Sequence, residues 1–162
     1  MSNAVLGLFK NTTEAGHALS ELKGKGYGSE VSVISKEAGD TKAHTVDESL
    51  KDGAVGGAAT GAVMVGLATL LAGATSLVIP GLGIAIVGPL ATALTTAAAG
   101  AVAGGVVGTL VDKGVPDNTA KTYEERINQG ETLVYVNVGS DKEAEVMQLM
   151  NEYGAHEVNL VK

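Results

Sequence analysis

A chain of 162 residues is long enough for one domain with its own core and barely long enough for two. A formal net charge of -7 with a single arginine, Arg126, argues against nucleic acid, which needs clustered Lys and Arg, and against simple electrostatic attachment to anionic lipid. The absence of cysteine excludes disulfides, thiolate catalysis and Cys-ligated metals, and five Phe and Tyr with no Trp are a poor stock for stacking bases or sugars.

The opening "MSNAVLGLFKNTTE" has no basic stretch followed by a long apolar run, so it does not read as a signal peptide. "AVLGLF" suits a buried strand. Asn11 and Glu14 then stand at capping-box spacing, and Ala15, Ala18, Leu19 and Leu22 recur on one helical face. Gly24 and Gly26 supply the stop, and "EVSVIS" (Glu30 to Ser35) predicts a second strand. Residues 1–39 thus read as strand, helix, strand, and residues 40–52 as a polar connector.

Residues 53–113 change texture. From Gly53 to Val111 there is no Asp, Glu, Lys, Arg or His. Gly53, Gly57 and Gly61 sit at i, i+4, i+8, as do Gly100, Gly104 and Gly108. Reflecting the zone about the Pro80–Gly81 bond also lays Gly56 on Gly105, and ten of its thirteen glycines find a partner this way. That symmetry predicts an antiparallel helical hairpin whose glycine stripes face each other, with Pro80, Gly81, Gly83 and Pro89 at its tip. Each interior glycine costs a helix about 1 kcal/mol against alanine, which close backbone packing must offset. Each arm exceeds the ~20 residues needed to cross a bilayer. Against a plain double span stand the Ala/Gly composition, the lack of aromatic residues at the boundaries and a tip with no polar side chain. A hairpin this apolar needs lipid or further copies of the chain to cover it, and the two stand level.

Residues 114–162 repeat the first plan. Pro116 precedes a helix over about Asp117–Gln129, and "TLVYVNV" (Thr132 to Val138) is the clearest strand in the chain. Ser140 and Glu143 form a second capping-box pair, Ala144, Val146, Met147 and Met150 a second apolar face that Gly154 ends, and "HEVNLV" (His156 to Val161) a last strand. Two such units predict an α+β fold: a ferredoxin-like βαββαβ sandwich, interrupted after its second strand by the helical hairpin.

Chemistry is hard to find. His17, His44 and His156 are scattered without acidic neighbours at ligand spacing, so no metal is expected. "GLGIAIVG" from Gly81 lacks the strand–GxGxxG–helix frame and a phosphate-binding lysine, which leaves no cofactor site. "YEER" (Tyr123 to Arg126) reads as the solvated face of a helix, and Met147 and Met150 as core. No catalytic residues are assigned, and the chain is expected not to be an enzyme.

Three segments carry a family resemblance: "AVLGLFKNTTEAGHALSELKGKGYGSEVSVI", the central "GAATGAVMVGLATLLAG…IPGLG…GPLATAL", and "GVPDNTAKTYEERINQGETLVYVNV". Over nearly its whole length the chain resembles bacterial general stress proteins, also described as heat-induced stress proteins or predicted membrane proteins. The resemblance implies a split ferredoxin-like domain with a Gly/Ala-rich insertion, a part in stress responses, and no active-site residue to transfer. The resulting expectation is a non-enzymatic, cytoplasmic protein that forms homo-oligomers and/or meets the inner face of the cytoplasmic membrane through its glycine-zipper hairpin. The rival expectation is a module that binds lipid or a small hydrophobic ligand.

Overall fold

The first apolar run is strand β1, Asn3–Phe9, in the computed structural model, which describes residues 3–36, 76–79, 83–96 and 105–162. Helix α1, Thr12–Gly24, starts as its sequence predicts: Asn11 is extended, and its side chain accepts the Glu14 amide at 2.9 Å. Ala15, Ala18, Leu19 and Leu22 are its buried face. It ends in a Schellman arrangement, with Gly26 N–H donating to Lys23 O and Tyr27 N–H to Leu22 O. Strand β2, Val31–Lys36, follows.

The next described elements are two short strands, β3 (Ser76–Ile79) and β4 (Ile84–Val87), and two helices, α2 (Pro89–Thr96) and α3 (Gly105–Asp112). Helix α4 (Asp117–Asn128), β5 (Thr132–Val138), α5 (Glu143–Glu152) and β6 (Glu157–Val161) complete the chain. The fold is α+β. The strands form one sheet in the order β3-β4-β2-β5-β1-β6, and every neighbouring pair is antiparallel.

Alternation along the strands sends Val5, Phe9, Val31, Val33, Val134, Val136 and Val138 to one face, where they pack with the buried residues of α1 and α5. Leu6, Leu8, Ile34, Leu133 and Tyr135 go to the other, where they meet Leu90 of α2, Val106 and Leu110 of α3, and Tyr123 and Ile127 of α4. Helices therefore cover both faces. That is why β1 and β5 read as nearly continuous apolar runs rather than as alternating ones. Gly7 lets α5 close onto β1, since a Cβ there would stand 2.5 Å from the Met150 sulfur.

The tip of the predicted helical hairpin is corrected here, while residues 53–75 and 97–104 of its arms lie outside the described residues. Its tip is a β-hairpin, with β3 and β4 added to the sheet beside β2. "SLVI" and "IAIV" are rich in β-branched residues, which favour a pleated, half-buried surface over a helix. Gly83, φ +61, belongs to the turn between the two strands, and Pro89 opens α2 in the position where a missing N–H costs nothing. Gly105 has φ +60, outside the right-handed helical region, so no continuous helix passes through it to Gly108. Gly53, Gly56, Gly57, Gly61, Pro80, Gly81, Gly100 and Gly104 lie outside the described residues. Among the described residues, no helix is long and apolar enough to cross a membrane.

Two smaller expectations also change. The second capping box does not form: Ser140 to Lys142 make a turn, with Lys142 N–H on Gly139 O, and α5 starts at Glu143 with no side-chain cap. Its buried face is Val146, Leu149 and Met150, while Ala144 is exposed.

Candidate functional site

Of the residues expected to matter, the described ones do not converge. Gly83 and Pro89 flank β4, while Gly105 and Gly108 lie on α3, which packs against α4. The polar groups are more informative, because most of them act on the chain itself.

Tyr123, on α4, is fully buried and not part of a solvated face. Its phenol oxygen accepts from the side-chain amide of Asn159, which also stands 3.3 Å from Glu157 Oε1. Burial pushes this phenol above its ordinary range; the Asn159 donor opposes that and the Glu157 charge adds to it. Tyr135 occupies the same cross-strand row as Asn159, with Leu6 between them, and donates to Asn137 Oδ1 at 3.4 Å. Burial raises its phenol too.

Two further groups hold helix starts. The Glu124 carboxylate accepts the Val107 amide at 3.4 Å, in the first turn of α3, where a negative charge complements the unpaired N–H groups. Ser32, buried in β2, accepts the Leu90 amide at 3.0 Å and caps α2 from a neighbouring strand. At the surface, Lys25 and Lys142 flank Glu145 at 3.0 and 3.5 Å. The hydrogen bond from Lys25 holds the Glu145 carboxyl below its ordinary value and raises the lysine in turn.

The groups left unsatisfied gather at one end of the sheet. Arg126 donates to Glu131 Oε1 at 3.3 Å. The other oxygen, Oε2, stands 3.3 Å from His156 Nε2 but, among the described residues, accepts no hydrogen bond. The hydroxyl of the neighbouring Thr132, on a fully buried residue, likewise has no hydrogen-bond partner among the described residues. No spacing in the sequence links Glu131 to His156; register does, since Thr132 pairs with Phe9 on β1 and His156 immediately precedes β6 on the far side of β1.

Strand β6 is one of the two edges of the sheet, β3 being the other. It pairs with β1 on one side and, among the described residues, with no strand on the other. Val158 and Leu160 are only partly buried, at the margin of the α1/α5 core together with Tyr27, Met147 and Tyr153. Among the described residues, no group of three or more His, Cys, Asp or Glu is placed to hold a metal. His17 is exposed on α1, and His44 lies outside the described residues. Compared with known proteins, the chain matches no family model, no curated protein and no solved structure.

Proposed function

We propose that this chain is a non-enzymatic, self-assembling protein built on a split ferredoxin-like body, with the stress-associated role that its resemblance to bacterial general stress proteins implies. The strand order β6-β1-β5-β2, with α1 and α5 crossing one face, supports the ferredoxin-like reading. In that reading the insertion between β2 and β5 is woven into the body: β3 and β4 lengthen the sheet, and α2 and α3 help to cover its second face.

Support for a non-catalytic role comes from where the polar side chains are used. Tyr123, Glu124 and Ser32, which could otherwise be taken for site residues, are engaged with Asn159, the α3 start and the α2 start. The observation that carries self-assembly is the β6 edge, a strand that among the described residues pairs on one side only and whose Val158 and Leu160 are partly buried. Proteins that remain single copies blunt such an edge with charge, proline or a bulge.

Sedimentation of the native full-length chain tests the reading. The expected result is a species heavier than the 16.2 kDa monomer whose share grows with concentration. A monomer throughout the accessible concentration range overturns it.

A further inference from the structure

We draw no further inference here: the strongest candidate, the side-chain cluster of Arg126, Glu131, Thr132 and His156 at one end of the sheet, joins α4 and β5 to the start of β6 and so belongs to the packing already described, with no third His, Cys, Asp or Glu beside Glu131 and His156 to hold a metal among the described residues.

Discussion

Replacing Gly88 by alanine tests whether the β3–β4 hairpin is truly part of the sheet. Gly88 links β4 to α2 at φ +108, and an added Cβ would lie 2.4 Å from Val31 O and 2.9 Å from Ser32 Cα. Both atoms are β2 backbone, held by pairing to β5, so the clash can be relieved only by moving β4 away. The positive φ costs an alanine about 1–2 kcal/mol. Overpacking against fixed backbone adds about 1–3 kcal/mol. Disturbing the Ser32–Leu90 cap, whose hydroxyl would be 3.0 Å from the new methyl, adds about 1 kcal/mol. The sum is about 3–6 kcal/mol, a large share of the ~5–15 kcal/mol that stabilises a typical domain. Gly130→Ala is the matched control: its φ is +101, but nothing lies within 4 Å of the new carbon. It should lose only the conformational part, about 1–2 kcal/mol, and the unfolded-state effect of the two substitutions cancels in the comparison. Urea unfolding of both variants against the native chain measures the difference. Equal losses for Gly88→Ala and Gly130→Ala would refute the placement of β4 against β2.

Thr132→Val replaces a buried hydroxyl that has no hydrogen-bond partner among the described residues by a methyl of the same shape, and should stabilise the fold by about 1–2 kcal/mol in the same assay. A loss of stability there would mean that the hydroxyl has a partner. The tyrosines predict an alkaline limit. Burial raises the folded-state values of Tyr123 and Tyr135 above 10.0, so their contribution is complete below pH 10 and declines as pH rises beyond it. The decline is at most about 1.4 kcal/mol per pH unit for each phenol, because the unfolded chain releases protons that the folded chain retains. Urea midpoints should therefore fall steeply above pH 10 in the native chain and less steeply in a Tyr123→Phe, Tyr135→Phe double variant; parallel slopes would contradict this account.

The parts of the fold that depend on local rules could be read directly from the chain. Asn11 and Glu14 mark the start of α1, Ala15, Ala18, Leu19 and Leu22 its inner face, and "TLVYVNV" strand β5. Around Ser76–Val87 the structure departs from the expected helix because lack of charge hides period. In "SLVIPGLGIAIV" every side chain is apolar or small, so neither a 3.6-residue nor a 2-residue rhythm stands out. The mirrored glycines suggest a helical hairpin there, while the β-branched residues on either side of Pro80 and Gly83 favour strands. The remaining features are products of register. Ser32 reaches Leu90 because Val33 pairs with Val87, and Glu131 nears His156 because β1 lies between β5 and β6. Neither contact has a signature in the spacing of its residues.

The position of β1 also governs the order in which the molecule can be completed. Asn3–Phe9 is synthesised well before both of its neighbours, Thr132–Val138 and Glu157–Val161. Until those strands emerge, this apolar strand lacks both of the partners that hydrogen-bond its edges in the finished sheet. Such a nascent chain is a natural client for chaperones, and its early translation intermediates should be far more aggregation-prone than the finished protein.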